Sequence, residues 1–383
     1  MKIFIVAHSS RTGGGISVAQ NLLLGFANIA PHHHYFVTIP PGLGYEKIVE
    51  NHSAFTLYQY KTQGYLSRWY WETYQLPKII KQFQPDIVFN TANRCVMNLS
   101  CPQTVHIRDP HLVYPESQFG PISLKERLLF RYHKNHLKKS LGATNLVFCQ
   151  TPVMEKRFKE VFGTQVPTAI CSKQFSPFAK PEGVPSCPER LKPYHDKLKL
   201  FVLTHYYTHK NLEIIVDVFK KYQDKLRDVV VILTISEEQH PGAKRLLAMI
   251  KQLRLENNII TVGSLRQQEL AAYYRNCHAL FLPTLLESFS GTYLEAMNFQ
   301  TPILTSDMDF AHNICGDAAI YFDPIDVDSV YNAIIKFKDA PDIARQLVEA
   351  GHDQMKRFDT SWNDIAQGVM KELEGIVQKS KAL

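Results

Sequence analysis

Two glutamates separated by seven residues are the side chains best suited to chemistry by type and spacing. Glu287 and Glu295 lie in the segment 283–297, which follows the apolar run 279–282. Small, turn-forming residues between them predict a helix that begins near Gly291 and continues through Glu295. Free N–H groups at such a helix start suit a phosphate, and a carboxylate one turn inside can accept hydrogen bonds from a ribose. The structural alternative is a helix entrance with surface carboxylates, since acids favour first turns.

A second candidate is Lys210, in the segment 204–211 that follows the apolar run 198–203. A lysine between a strand end and a helix start can place a point charge on a diphosphate. The alternative is the usual state of a lysine, a solvated surface side chain.

Three consecutive glycines form the third candidate. Gly13, Gly14 and Gly15 follow the first apolar run and precede a helix predicted from about Ser17. A glycine loop lets the backbone approach a pyrophosphate closely. However, Val18 occupies the third glycine position of G-x-G-x-x-G, so the dinucleotide-binding pattern is not met. A glycine turn before a helix is the alternative.

The elements that must position these residues alternate between short apolar runs and longer helical patterns, which predicts parallel strands joined by crossover helices. The predicted strands are 3–7, 86–90, 103–107 and 145–149, then 198–203, 229–234, 259–262, 279–282, 302–305 and 319–322. Five prolines between positions 175 and 198 indicate a boundary between the two series.

We therefore predict an α/β fold of two doubly wound Rossmann-like domains that face a cleft. The predicted parts are an N-terminal domain (1–180), a linker (181–197), a C-terminal domain (198–360) and a helical tail (361–383) that packs back on the N-terminal domain. Ligands in open α/β sheets bind outside the carboxyl ends of the strands, where the candidate residues lie.

Composition narrows the class of protein. The 383 residues are 45% hydrophobic, enough for two globular domains, and the formal net charge of +7 favours anionic ligands or surfaces. The seven cysteines are odd in number and scattered, which argues against a disulfide framework or a zinc site. No apolar run approaches the roughly 18 residues of a membrane span. We expect a cytoplasmic protein.

These segments together resemble the retaining family 4 glycosyltransferases of the GT-B fold, over nearly the whole chain. The resemblance is carried by the E-x7-E pair Glu287 and Glu295, the Lys210-Asn211 pair, the glycines 13–15 and the segment 315–324. The stretch 262–265, followed by Glu269-Leu270 and Tyr273-Tyr274, looks like the base-binding region of that family.

The resemblance implies roles for the candidates. Glu287 would contact the donor sugar, Glu295 the ribose and Lys210 the diphosphate of a nucleotide sugar. Further donor-site residues are Gly14, Gly15, His205, Leu265, Ser290, Gly291 and Thr292. The sequence departs from the family at Thr204-His205, where Gly-Arg is usual. Ser288 and Ser290 replace the glycines of the common E-G-F-G.

On the acceptor side, the strand 103–107 runs into Arg108-Asp109-Pro110-His111, where the family often has a His-Asp pair. Arg108 takes the place of the usual histidine, which leaves His106 and His111 as nearby candidates. We predict Asp109 and His111 as catalytic residues beside Lys210 and Glu287. A core or surface histidine is the alternative.

Two D-x-D patterns, Asp307-Met-Asp309 and Asp326-Val-Asp328, match a metal-binding signature. Such patterns often arise by chance, and both fall late in the second α/β domain, so we interpret them as loop acids. We expect no metal and no cofactor.

The stretch 124–139 is rich in basic and aromatic residues. Its basic members are Lys125, Arg127, Arg131, Lys134, Lys138 and Lys139. A capping box from Ser123 to Glu126 predicts a helix. A basic helix of this kind can lie on an anionic membrane. A solvated helix packed on the sheet is the alternative.

The sequence thus predicts a retaining, metal-independent glycosyltransferase. The sugar would pass from a nucleotide-sugar donor to a saccharide or lipid-linked acceptor in cell-surface polysaccharide or glycan assembly. Peripheral contact with the membrane is part of this prediction, and no nucleic-acid partner is expected. A sugar-nucleotide epimerase, a phosphorylase of GT-B architecture or a non-catalytic nucleotide-binding or nucleic-acid-binding protein stays open.

Overall fold

The computed structural model describes residues 1–11, 13–61, 64–91, 93–171 and 186–382. The chain divides into two compact units. Unit 1 comprises residues 1–113, 123–174 and 360–383, and unit 2 comprises residues 114–122 and 175–359. The predicted domain boundary after residue 180 and the first part of the predicted linker, 181–185, lie outside the described residues. The remainder of that linker contains a short 3-10 helix, Glu189–Tyr194.

Unit 1 is built on a parallel sheet. Its strands are β1 (Lys2–Val6), β2 (His34–Ile39), β3 (Phe55–Gln59), β4 (Ile87–Asn90), β5 (Gln103–Ile107), β6 (Leu146–Cys149) and β7 (Thr168–Ile170). Its helices are α1 (Gly13–Ile29), α2 (Tyr45–Val49), α3 (Tyr65–Tyr70), α4 (Leu76–Phe83), α5 (Leu124–Ser140), α6 (Pro152–Phe162) and α14 (Trp362–Ala382). The strand order β3-β2-β1-β4-β5-β6-β7 reverses between β1 and β4, which makes their ends the expected ligand position.

Successive side chains of β1 point to opposite faces of the sheet, and helices cover both faces. Ile3 and Ile5 pack in one apolar cluster with residues of α1 and α14. Phe4 and Val6 pack in another cluster with residues of α4. The C-terminal helix α14 therefore belongs to the core of unit 1, against α1.

Unit 2 repeats the architecture. Its strands are β8 (Leu198–Val202), β9 (Val229–Leu233), β10 (Ile259–Thr261), β11 (Ala279–Leu282), β12 (Ile303–Ser306) and β13 (Ala319–Phe322). Its helices are α7 (Glu213–Tyr222), α8 (Pro241–Gln252), α9 (Gln267–Asn276), α10 (Gly291–Asn298), α11 (Asp309–Cys315), α12 (Val327–Asp339) and α13 (Pro341–Met355). The parallel order β10-β9-β8-β11-β12-β13 places the switch point between β8 and β11.

One predicted element begins at a different residue. The expectation of a glycine loop before a helix from Ser17 is wrong, because α1 begins at Gly13. First-turn residues donate no hydrogen bond within the helix, so glycines are tolerated there better than in the helix interior.

Among the described residues, no helix is both long and apolar enough to cross a bilayer.

Candidate functional site

Lys210 and Glu287 form an ion pair at the switch point of the unit 2 sheet. Lys210 ends a 3-10 turn, Thr208–Lys210, in the loop after β8, and Glu287 lies in the loop after β11. The Lys210 ammonium donates to Glu287 Oε1, and the side chains are 17% and 13% exposed. The carboxylate fixes the ammonium, so a ligand phosphate would meet a charge already in place.

Backbone contacts between loops hold Lys210 in position. The carbonyl of His209 accepts a hydrogen bond from the N–H of Leu285 at 2.8 Å, which joins the loops after β8 and β11. Asn211 adopts φ 54°, a left-handed conformation that asparagine tolerates, and its Nδ2 donates to the Pro324 carbonyl at 2.7 Å. Asn211 therefore anchors the segment, while Lys210 is the member of the pair positioned for a ligand.

The helix predicted near Gly291 is α10. Ser290 precedes it in extended conformation, and its Oγ lies 2.5 Å from Thr292 Oγ1 instead of capping a backbone amide. The first N–H groups of a helix have no acceptor within it. The start of α10, a few residues beyond Glu287, therefore offers amide donors to an anionic group.

Glu295 lies in the second turn of α10 and is oriented by Tyr274 of α9. The Tyr274 hydroxyl donates to Glu295 Oε2 at 3.0 Å. Burial, together with the charge of Glu295, raises the pKa of Tyr274 well above its ordinary value, so the hydroxyl remains a donor. The tyrosine thereby fixes a carboxylate that can accept ribose hydroxyls.

His205 and Leu265 lie on two loops that Gln239 connects. Gln239 Oε1 accepts from the N–H of Tyr206 at 3.2 Å, and its Nε2 donates to Ser264 Oγ at 2.9 Å. His205 is exposed and Leu265 half-buried. Since β8 and β10 are parallel strands of one sheet, both residues lie at the same edge as Lys210.

The acids of the two D-x-D patterns hold loops and helix ends together. Their donors are His312 for Asp307, Tyr114 for Asp309, the Asp328 N–H for Asp326 and Tyr222 for Asp328. Among the described residues, no group of three or more His, Cys, Asp or Glu is arranged to hold a metal ion.

In unit 1, Gly14 and Gly15 lie in the first turn of α1, and Arg108 anchors that turn. Arg108 Nη1 donates to the Gly15 carbonyl at 2.9 Å, and Nη2 donates to Ser10 Oγ at 2.8 Å. Burial lowers the pKa of Arg108 to about 10. Arg108 therefore holds the glycine segment in position.

Asp109 and His111 contact each other directly after β5. Asp109 Oδ1 accepts from His111 Nδ1 at 2.8 Å and from the His111 N–H at 3.0 Å. Burial opposes the ionisation of Asp109, but the hydrogen bond and charge of His111 outweigh it and lower the pKa of the carboxyl. The His111 ring stacks on Phe130 with centroids 4.1 Å apart. His106 is buried within β5, whereas His111 lies in the segment that follows this strand.

The sequence analysis missed a charged cluster at the switch point of unit 1. It contains Arg68, Glu72 and Arg94, which line one cavity with His8. His8 follows β1 and Arg94 follows β4, so the strand-end rule that selected Lys210 also applies to this position. The sequence feature that could have identified this cluster is Arg94, a basic residue shortly after the end of β4.

One protein-family model matches a range that lies within unit 2. Residues 186–354 match the model of the family described as "Glycosyl transferases group 1". The matched range contains Lys210, Glu287 and Glu295.

Two curated proteins are similar over part of the chain. The O-antigen chain mannosyltransferase RfbU of Salmonella typhimurium is 25% identical over 158 residues, 40% of this chain and 43% of that protein. The MMP alpha-(1->4)-mannosyltransferase of Mycolicibacterium hassiacum is 26% identical over 159 residues, 41% of this chain and 38% of that protein. The chain thus spans about two-fifths of the length of these relatives.

Solved structures match nearly the whole chain. The sucrose-phosphate synthase of Thermosynechococcus elongatus aligns with a TM-score of 0.73 and 15% identity, covering 99% of this chain and 100% of that one. HepE of Anabaena, solved with UDP and glucose, aligns with a TM-score of 0.70 and 15% identity, covering 98% and 100%. These similarities establish the predicted GT-B fold.

Proposed function

We propose that this chain, whose residues 186–354 form a domain of the glycosyl transferases group 1, is a retaining glycosyltransferase that uses a nucleotide-sugar donor. The observation that carries the proposal is the Lys210–Glu287 pair, located where the strand order of unit 2 reverses. The start of α10 and the oriented Glu295 lie in the same segment. The three features provide partners for a diphosphate, a sugar and a ribose.

In this proposal, Lys210 and the amides at the start of α10 bind the diphosphate and stabilise the charge that develops as it leaves. Glu287 holds Lys210 and contacts the donor sugar. Glu295 accepts hydrogen bonds from the ribose, while Leu265 lies beside the base and His205 supplies a further contact to the diphosphate. Unit 1 would bind the acceptor, with Asp109 and His111 at its edge.

The relatives suggest which sugar to test first. The curated proteins above are named as mannosyltransferases, one of them for the O-antigen chain. We therefore propose transfer of a mannosyl or related hexosyl group in cell-surface polysaccharide assembly.

We also propose peripheral contact of unit 1 with an anionic membrane at its cytoplasmic face. Leu124, Leu128 and Tyr132, spaced four residues apart along α5, are 71%, 57% and 36% exposed. Side chains at this spacing share one helix face. Basic residues surround them along the same helix, a combination suited to an anionic bilayer surface.

The proposed activity is tested by incubating the full-length protein with a panel of GDP-, UDP-, ADP- and dTDP-sugars, with and without saccharide acceptors. Acceptor-dependent release of the nucleoside diphosphate supports transfer. Conversion of the donor sugar without acceptor would instead support an epimerase. Release of a sugar 1-phosphate from a saccharide and inorganic phosphate would support a phosphorylase.

A further inference from the structure

A cavity of about 180 Å³ lies in unit 1 where the ends of β1 and β4 meet. Ligands of open parallel sheets bind at such a reversal of strand order. Its lining includes His8, Arg68, Trp69, Glu72, Arg94 and Tyr132. All of them belong to unit 1, and none is among the predicted site residues.

The charges of this cavity do not cancel. Glu72 accepts hydrogen bonds from Arg68 Nε at 2.7 Å and from Arg94 Nη1 at 2.8 Å, so one carboxylate faces two guanidinium groups. Burial opposes ionisation of Glu72, but its hydrogen bond to His8 and the two arginine charges lower its pKa to about 2. Burial lowers the pKa of His8, which favours the neutral ring. The cluster therefore carries a net positive charge.

Both arginines retain capacity for a ligand. A guanidinium has five N–H donors in a fixed planar fork, and Glu72 occupies one donor of each. The Arg94 guanidinium also lies 6.0 Å from the centre of the Tyr132 ring, a contact that holds its plane. Two guanidinium groups fixed by a shared carboxylate match the oxygens of a phosphate.

The rim of the cavity is aromatic. Trp69 and Tyr132 line it and are 41% and 36% exposed. Glu72 lies in a π-helical turn, Trp71–Gln75, between α3 and α4, and such turns are rare and often occur at functional sites. Tyr70, which follows Trp69 in α3, is 53% exposed. The positively charged cluster thus lies beside exposed aromatic side chains.

We propose that the Arg68–Glu72–Arg94 cavity binds a phosphate group of the acceptor. The proposal rests on the proposed function, in which unit 1 receives the acceptor. The phosphate belongs either to a lipid-linked saccharide or to a soluble phosphorylated saccharide. The shared chemistry is a phosphate ester joined to a group that packs on Trp69 and Tyr132.

The test measures binding by calorimetry with inorganic phosphate, octyl phosphate and octyl glucoside. Every titration uses the full-length Lys210→Ala variant as the parent, because Lys210 in unit 2 is itself proposed to contact phosphate. Added to this parent are Arg68→Met, Arg94→Met, Arg94→Lys and, as a matched control for lost charge on unit 1, Lys156→Met, which alters an exposed lysine of α6. Thermal unfolding checks that each variant is folded.

We expect both phosphate probes to bind the parent. Either methionine variant, at position 68 or 94, should weaken this binding at least tenfold. Arg94→Lys, which keeps the charge but loses the planar fork of donors, should weaken binding less, and Lys156→Met should have no effect. Tighter binding of octyl phosphate than of inorganic phosphate indicates a lipid-linked source, and equal binding indicates a soluble one.

Unchanged phosphate affinity in the folded variants at positions 68 and 94 would overturn the proposal. Binding of octyl glucoside as tight as that of octyl phosphate would do the same. The proposed function fails by a separate result, the absence of sugar transfer by the wild-type protein from every nucleotide sugar of the panel.

Discussion

Lys210 and Glu287 are 77 positions apart in the sequence and form an ion pair in the folded chain. They meet because the loops after β8 and β11 lie side by side where the strand order of unit 2 reverses. Burying two charges is costly unless they are paired, so the geometry of each depends on the other. In the proposed function, the ammonium of this pair neutralises the leaving diphosphate.

Lys210→Ala should lower turnover at least 100-fold, because loss of one preorganised donor to a developing oxyanion costs about 3 kcal/mol. Lys221→Ala is the matched control, since Lys221 also pairs with a carboxylate, Asp328, but both side chains are half exposed. That control should keep its turnover within about twofold. Steady-state kinetics with the best donor measures both, and more than half the wild-type rate in Lys210→Ala contradicts the assigned role.

Glu295 should matter chiefly for donor affinity, and Glu287 chiefly for catalysis. Glu295→Ala removes the proposed acceptor for the ribose hydroxyls, which should weaken nucleotide binding about tenfold, the scale of a charge-assisted hydrogen bond. Tyr274→Phe removes only the hydrogen bond that orients Glu295 and should have a smaller effect of the same sign. Calorimetry with the nucleoside diphosphate measures the affinities.

The comparison with Glu287→Ala completes this test. That variant should lower turnover more than it weakens nucleotide binding. Unchanged nucleotide affinity in Glu295→Ala would refute this division between the two glutamates.

The sequence predicts most strands of both sheets, because buried parallel strands form continuous apolar runs such as 279–282. It does not predict β2 (His34–Ile39), β3 (Phe55–Gln59) or β7 (Thr168–Ile170). β3 and β7 have no fully buried residue, and the apolar residues of β2 are flanked or interrupted by His34 and Thr38, so the apolar signal is weak. A continuous apolar run therefore locates a strand better than its place in the sheet does, since the edge strands β10 and β13 of unit 2 are predicted.

The proposed donor-site residues of unit 2 can be selected from the sequence because Glu287, Gly291 and Glu295 lie in one short segment. The cavity in unit 1 is different, since Arg94 is 22 positions from Glu72 and the two meet through the π-helical turn and the loop after β4. Neither residue belongs to a local motif. Contacts of this kind depend on how a helix packs on the sheet, which one sequence does not specify.

The packing of α14 on α1 gives a stability prediction with a definite sign. A Cβ at Gly25 of α1 would lie 2.6 Å from the Cβ of Ala366 and 3.0 Å from the Trp362 carbonyl oxygen. A glycine-to-alanine change in a helix interior ordinarily stabilises by up to about 1 kcal/mol. Gly25→Ala should instead lower the melting temperature, because α14 must move away.

Gly368→Ala in α14 is the matched control, since a Cβ there meets nothing within 4 Å. It should leave the melting temperature unchanged or raise it. Thermal unfolding followed by circular dichroism compares the two variants, and equal or higher stability of Gly25→Ala would show that α14 does not pack closely on α1.

Membrane contact should depend on the exposed face of α5. The protein should float with vesicles that contain anionic lipid and less with neutral ones, since about 1 kcal/mol per basic residue is gained near an anionic surface. The double variant Leu124→Ser, Leu128→Ser should reduce flotation. Ile325→Ser, which alters an apolar side chain of unit 2 that is 76% exposed, is the control. Absence of the wild-type protein from both vesicle fractions rejects this contact.

The last prediction is that transfer requires no divalent metal and retains the donor's anomeric configuration. Departure of a nucleoside diphosphate requires neutralisation of its charge, which a metal ion often supplies. In unit 2 the Lys210 ammonium and the amides at the start of α10 are fixed donors for the same purpose. Activity should therefore persist in excess EDTA, and loss of activity that Mg²⁺ restores would contradict this part.

For the stereochemistry, an inverting enzyme needs a base on the face of the sugar opposite the leaving group. Glu287 is paired with Lys210. In the proposed function Lys210 binds the diphosphate, so Glu287 would lie on the leaving-group side and be poorly placed for that task. We expect the donor phosphate to accept the proton of the acceptor hydroxyl on the leaving-group face, so that the new bond forms where the old one breaks. NMR of the product linkage measures the outcome through the anomeric coupling, and an inverted anomer would require a base that these residues do not provide.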